Sequence, residues 1–214
     1  MKNKDAPHSN VTASLSRFDE RIAFWFKWVL ANVFGLLTGR YIGGIIHELL
    51  WPPLPLPPNA FPPLQFIDPA PRILVVGLLV GMFIGIFEML LLRSVVSIPN
   101  WKWVASSALA CTIFPRIPHL SYTLNELIPD FIIALTSGFF LGIMQWSILR
   151  KTFTYAGLWI LTKEFTFPLI FWSISPSIYY QSGHIIVGLL VGGITGGVML
   201  YLLQHPITSE NILS

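Results

Sequence analysis

Hydrophobic residues run along the chain in long blocks that short polar or proline-rich stretches separate. Five blocks, near residues 23–46, 73–92, 131–149, 156–175 and 184–203, each approach the roughly 20 apolar residues that cross the hydrocarbon core of a bilayer. A sixth block at 103–121 is interrupted by Pro115, Arg116 and Pro118. The pattern predicts an all-α, polytopic membrane helix bundle.

A spacing pattern recurs three times and indicates that the interrupted block also crosses the membrane. Each copy has small residues at four-residue intervals, then a longer side chain three positions on and a polar residue five positions after that. The copies are Gly77, Gly81, Gly85, Glu88 and Arg93; Ala134, Gly138, Gly142, Gln145 and Arg150; and Gly188, Gly192, Gly196, Met199 and Gln204. A tryptophan begins the preceding helix in each unit: Trp28, Trp103 or Trp159. Because Arg93 and Arg150 are equivalent, an even number of crossings separates them, and we predict six transmembrane helices as three tandem two-helix repeats within residues 23–204.

The first repeat contains an insertion of about 18 residues. The distance from the tryptophan to the first small residue of the spacing pattern is 49 residues in this repeat, against 31 in the second repeat. The extra chain forms a proline-rich connection at 51–71, and proline supports neither helix interiors nor sheet ladders. We predict a stiff, polyproline-II-like loop on the non-cytoplasmic face, which either packs on the bundle or docks a partner.

Composition and charge placement agree with a membrane protein. Charged residues make up 11% of the chain and hydrophobic residues 54%, whereas soluble domains are about 25% charged. Basic residues collect in the N-terminal segment and after the second and fourth blocks, with Arg72 the exception. Basic loops stay cytoplasmic, which predicts cytoplasmic tails at 1–22 and 205–214. The scattered cations do not indicate nucleic-acid binding, so the lipid bilayer is the expected partner.

The glycine ladders predict close helix packing. The first helix has its own ladder of Gly35, Gly39 and Gly43. Residues four apart share one helix face, and small residues let helix backbones approach closely in lipid. A glycine-lined pore or slot, or an interface with a membrane partner or a second copy, is the alternative.

Ionisable residues inside the spans are the strongest functional candidates, because burying charge in a membrane is costly. Glu88 lies five residues inside Arg93, which is about 7.5 Å at 1.5 Å per residue. Lys163 lies at a similar depth, so we predict that the two form a pair. Gln145 replaces Glu88 in the second repeat, Glu164 points about 100° away from Lys163, and Arg40 is a further intramembrane candidate.

Histidines and carboxylates at the opposite face could in principle bind a metal. The histidines are His47, His119 and His184, but no ligand spacing connects them, and Trp51 stands where a zincin helix would place its second His. No catalytic motif is present and no cofactor is predicted. Cys111 reads as a small buried filler, and the span hydroxyls of Ser106, Ser107 and Ser137 should bond back to their helices.

The strings Gly-Ile-Met-Gln-Trp-Ser-Ile-Leu-Arg at 142–150 and Trp-Val-Leu-Ala-Asn at 28–32 resemble a family of multi-pass membrane proteins from cyanobacteria and related photosynthetic-lineage bacteria. In that family a G-x-x-Q-W-x-x-L-R helix end precedes a turn and a Trp-led helix. This chain departs from the pattern at Glu88 and at Lys163. The resemblance implies a location in the plasma or thylakoid membrane and a multi-pass architecture, and it implies no activity.

Three functions remain open from the sequence. The leading hypothesis is a non-enzymatic integral membrane protein that serves as a scaffold or accessory subunit of a membrane complex. A small transporter or channel that uses Glu88 and Lys163 is the alternative. An intramembrane metal-dependent enzyme is the third.

Overall fold

The computed structural model describes residues 18–52, 69–96, 100–113, 124–174 and 181–207. Six α-helices account for nearly all of these residues, and no strand occurs among them. In chain order the helices are α1 (Phe18–Leu50), α2 (Pro69–Arg93), α3 (Asn100–Ile113), α4 (Leu124–Leu149), α5 (Leu158–Ile174) and α6 (Gln181–Leu203). The prediction of an all-α protein is therefore confirmed.

Two helices extend beyond the predicted segments. Helix α1 begins at Phe18, five residues before the predicted span, and continues to Leu50. Helix α2 begins at Pro69 and includes Pro71, although both prolines were assigned to the non-helical loop. Proline is accepted in the first turn of a helix, where its missing N–H would have no partner. Residues 53–68 of the predicted loop lie outside the described residues, as do residues 114–121 of the predicted third span and His119.

Among the described residues, four helical segments are long and apolar enough to cross a membrane: Phe18–Leu50, Leu74–Arg93, Phe131–Leu149 and Gly183–Leu203. The described parts of α3 and α5 are shorter, at 14 and 17 residues. The outer surface is apolar, with Phe165 69% exposed and Leu190 49% exposed, whereas Glu88 and Gln145 inside the bundle are fully buried. A bundle with apolar side chains on its outer surface and polar side chains in its interior is suited to a lipid environment.

The helices form a closed ring in which each packs on the next along the chain and α6 packs back on α1. Neighbours run antiparallel. On α1, Gly35 faces Ile84 and Gly43 faces Val76, so residue numbers fall on α2 as they rise on α1. The closing pair does the same, since Gly188 of α6 lies against Val33 of α1.

The glycines lie where neighbouring backbones come closest. A Cβ atom added at Gly35 would be 2.7 Å from the Cα of Ile84, and one at Gly142 would be 2.7 Å from the Cα of Ile160. At Gly39 the added atom would collide with the backbone of Val80. Close backbone contact of the same kind is made by the other ladder glycines Gly81, Gly85, Gly138 and Gly192, while Gly196 meets the indoles of Trp25 and Trp28 and Gly77 is buried. A side chain at most of these positions would push two helices apart.

Two apolar clusters fill the ring, one above the other along its axis. The first contains Leu92, Leu149 and Leu202, which come from the C-terminal ends of α2, α4 and α6. It also contains Trp103 and Trp159, from the first turns of α3 and α5, and Trp28, which lies well inside α1 and does not begin it as predicted. The second contains residues from the middle of the helices, including Val80, Leu141 and Val191. The ends of α2, α4 and α6 therefore meet at one end of the bundle.

The connection after α4 and the segment after α6 are joined at that end. Phe153 and Pro206 form an isolated antiparallel bridge. Two backbone hydrogen bonds flank it, from Thr154 N–H to the carbonyl of His205 (3.1 Å) and from Ile207 N–H to the carbonyl of Thr152 (2.9 Å). Phe153 is buried in the first cluster, so this contact closes the end of the ring.

Candidate functional site

Three indoles pack together inside the ring, in the first apolar cluster. They belong to Trp28 of α1, Trp103 of α3 and Trp159 of α5, and all three are fully buried. The Trp159 ring lies 6.2 Å from Trp28, edge to face, and 5.8 Å from Trp103. These separations fall in the range in which aromatic pairs attract one another.

Each indole N–H donates to a side chain on an even-numbered helix. Trp103 Nε1 donates to Glu88 Oε2 (3.1 Å), and Trp159 Nε1 donates to Gln145 Oε1 (2.8 Å). Trp28 Nε1 instead donates to the hydroxyl of Thr195 (3.0 Å). Met199 occupies the third equivalent position, and because its thioether is a weak acceptor, the hydroxyl one turn earlier takes its place.

Glu88 and Lys163 form an ion pair across the ring. The Nζ atom of Lys163 lies 3.3 Å from Glu88 Oε1, and the side chains are 3% and 0% exposed, respectively. The same Nζ lies 4.7 Å from the ring centre of Trp159, one turn earlier on α5. An ammonium over an indole face is a favourable cation–π contact. The structure thus brings together the two residues that the depth argument had paired.

Gln145, beside this pair, joins α4 to α3 and α5. Its Nε2 donates to Ser107 Oγ (3.0 Å), and the Ser107 hydroxyl donates to the Trp103 carbonyl (3.2 Å). Gln145 therefore uses both ends of its amide, and Glu88 has a donor at each oxygen. Hydrogen bonds and the ion pair link α2 to α3 and α5, and α4 to α3 and α5. Buried polar groups that are satisfied in this way rigidify a core.

The span hydroxyls bond back to their own helices, as predicted. Ser106 Oγ donates to the Trp103 carbonyl (2.8 Å), and Ser137 Oγ donates to the Ile133 carbonyl (2.6 Å). Ser107 differs from these two because its oxygen also accepts the Gln145 amide. Sequence reasoning had treated it as an ordinary helix hydroxyl.

Two buried polar atoms have no hydrogen-bond partner among the described residues: Asn32 Oδ1 and His184 Nδ1. Asn32 is 2% exposed and donates through Nδ2 to the Trp28 carbonyl (3.1 Å). It occupies the position on α1 that Lys163 occupies on α5, four residues after the indole. Its amide oxygen is an acceptor without a donor.

The remaining predicted polar residues are not part of this network. Glu164 and Arg40 are half-buried. The ring of His47 stacks on Trp51 at 5.6 Å, and His184 is buried elsewhere in the bundle. Within the described part of the chain, no group of three or more His, Cys, Asp or Glu side chains is placed to hold a metal ion.

Sequence reasoning missed Thr195, Asn32 and the convergence of the three indoles. The signal for the indoles was present, since each tryptophan precedes a small or polar residue by four positions. Comparisons of the chain with protein-family models, with curated proteins and with solved structures give no match. The functional argument therefore rests on the chain's own residues.

Proposed function

We propose that this is a non-enzymatic integral membrane protein with six membrane crossings in three tandem hairpins, and that it acts as a scaffold or accessory subunit of a membrane complex. The observation that carries the proposal is that the buried polar side chains bind other helices of the bundle. Glu88, Lys163 and Gln145 each bind another helix, and the indoles fill the space between them. Polar groups used in this way fix the arrangement of the helices. A rigid helix bundle in the membrane is what a scaffold or accessory subunit provides for its partner.

The six crossings are supported by the first apolar cluster. Leu92 and Leu149 belong to it together, so α2 and α4 end at the same end of the bundle. If α3 did not cross the membrane, those two ends would lie on opposite sides. The resemblance to multi-pass proteins of cyanobacterial type remains a prediction beside this argument.

Labelling of single cysteines from each side of the membrane tests the topology. In a Cys111→Ser background, Ser94→Cys and Lys151→Cys report the ends of α2 and α4, and Trp51→Cys reports the end of α1. Six crossings with cytoplasmic termini place Ser94 and Lys151 on the cytoplasmic side and Trp51 on the other. Four crossings, by α1, α2, α4 and α6 alone, place Ser94 and Lys151 on opposite sides and overturn the six-helix proposal.

Native mass spectrometry of the tagged protein, extracted in mild detergent, tests the scaffold role. The expected result is a discrete complex with a second polypeptide in fixed ratio, which an unrelated six-helix membrane protein purified in parallel lacks. A homogeneous single chain from every detergent, together with solute flux in proteoliposomes, would contradict the role.

A small transporter or channel is the second candidate, and the buried ion pair favours it. Charged residues inside membrane proteins commonly mark ion or substrate pathways, and Glu88 and Lys163 lie on opposite sides of the ring. The expected result is ion flux in proteoliposomes that is lost in Glu88→Gln and kept in the exposed-site variant Lys102→Gln. Flux that is equal in both variants removes Glu88 from the pathway.

A further inference from the structure

The two groups that contact the Lys163 ammonium each have a second partner on a neighbouring helix. The Glu88 carboxylate is held by the Trp103 indole through its second oxygen (3.1 Å). The Trp159 ring, which faces the ammonium at 4.7 Å, is held by Gln145 (2.8 Å). Three packed indoles further restrict the rings. A carboxylate and an aromatic face therefore form a receptor that the surrounding helices build.

That pair of groups has a defined chemical preference. A carboxylate forms charge-assisted hydrogen bonds with N⁺–H donors, and an indole face attracts a cation, most strongly where water is excluded. Both groups are fully buried here. A buried carboxylate beside an indole face is thus suited to a primary ammonium.

Asn32 provides a second buried acceptor at the position on α1 that is equivalent to Lys163 on α5. Its Oδ1 is buried and accepts no hydrogen bond among the described residues. It lies one turn beyond Trp28, as Lys163 lies one turn beyond Trp159.

We propose that Glu88, Trp103 and Trp159 form a binding site for a small primary ammonium, which the protein fills with the side chain of Lys163. Lys163 is then an internal ligand that joins α5 to α2 across the ring. A free alkylammonium of the size of methylammonium fits the same site when the lysine side chain is shortened. This site stands independently of the scaffold proposal, because its test needs no partner and no flux.

The test compares the thermal unfolding of Lys163→Ala in methylammonium chloride, choline chloride and sodium chloride at equal ionic strength, followed by tryptophan fluorescence. The wild type and the double variant Glu88→Gln/Lys163→Ala are the matched controls. A ligand that binds only the folded state raises the melting temperature with its concentration. We expect that rise for Lys163→Ala in methylammonium alone, and in neither control protein. An equal rise in the double variant, an equal rise in choline, or no rise overturns the proposal.

A failure of Lys163→Ala to fold when it is purified in sodium chloride is also decisive. The variant is then expressed and purified with methylammonium present throughout. Recovery of folded protein only under that condition supports the site. Failure in both salts shows that the ammonium cannot be supplied from outside, which overturns it.

Discussion

Removing one charge of the Glu88–Lys163 pair should cost far more stability than removing both. The perturbations are Lys163→Met, Glu88→Gln and the double variant. At the observed separation of 3.3 Å, unit charges attract by about 5 kcal/mol for an effective dielectric constant of about 20. Most of that attraction offsets the desolvation of two buried ions, so the pair as a whole adds little.

Each single variant leaves a buried charge without its partner. After Lys163→Met, the carboxylate keeps only the Trp103 donor, and the expected loss in the free energy of unfolding is about 3–5 kcal/mol. After Glu88→Gln, the ammonium keeps only the Trp159 face and an uncharged amide, with a loss of the same order. The double variant restores a neutral arrangement like that of Gln145 and Trp159, so its loss should fall below the sum of the single losses by at least about 2 kcal/mol.

Unfolding by SDS in mixed micelles, followed by tryptophan fluorescence, measures all three losses against the wild type. Lys102→Met is the control, because Lys102 is exposed beside Trp101 and such surface substitutions change stability by about 0.5 kcal/mol or less. Single losses that add up to the double loss within about 0.5 kcal/mol would refute the coupling. So would an equal loss for Lys102→Met.

Three further predictions concern the packing and hydrogen bonds around the pair. Gly39→Ala presses a methyl group against the backbone of α2 and should cost about 1–3 kcal/mol, whereas Gly44→Ala, which meets nothing within 4 Å, should cost little by the same unfolding assay. Ser107→Ala leaves the buried amide of α4 without an acceptor and should cost about 1–3 kcal/mol, while Ser147→Ala, at an exposed hydroxyl bonded to its own helix, should be near neutral; equal losses would contradict the network. Trp103→Phe keeps an aromatic ring but removes the donor to one oxygen of the buried carboxylate, so we expect a loss of about 1–3 kcal/mol that largely disappears when the carboxylate is also neutralised.

Much of the architecture could be read from hydrophobic block length and the repeated spacing. The central ion pair could also be approached from the sequence, because α-helical rise converts residue number into depth. Glu88 and Lys163 are 75 positions apart, yet each lies about five residues from its helix end. Their similar depth led to the predicted pair, and the structure shows the contact between the two side chains.

The helix limits were less accessible. Proline content at 51–71 indicated a loop, but the effect of a proline depends on its place in the helix. Pro69 and Pro71 open α2, and Pro168 lies inside α5. The number of prolines in a segment does not distinguish these positions. In the first turn of a helix the backbone N–H would have no hydrogen-bond partner within the helix, whereas in the interior it would.

The sequence by itself determined the helical class, the apolar surface and the depth of each buried polar residue, because these follow from composition and from a fixed rise per residue. Only the tertiary structure decided that α6 returns to α1, that three indoles share one centre and that Thr195 replaces the missing acceptor at Met199. Those facts depend on how each helix is rotated about its axis and which neighbour it meets. The rotation of each helix about its axis is set by the packing of its whole face against its neighbours, and the spacing of residues within one helix does not determine it.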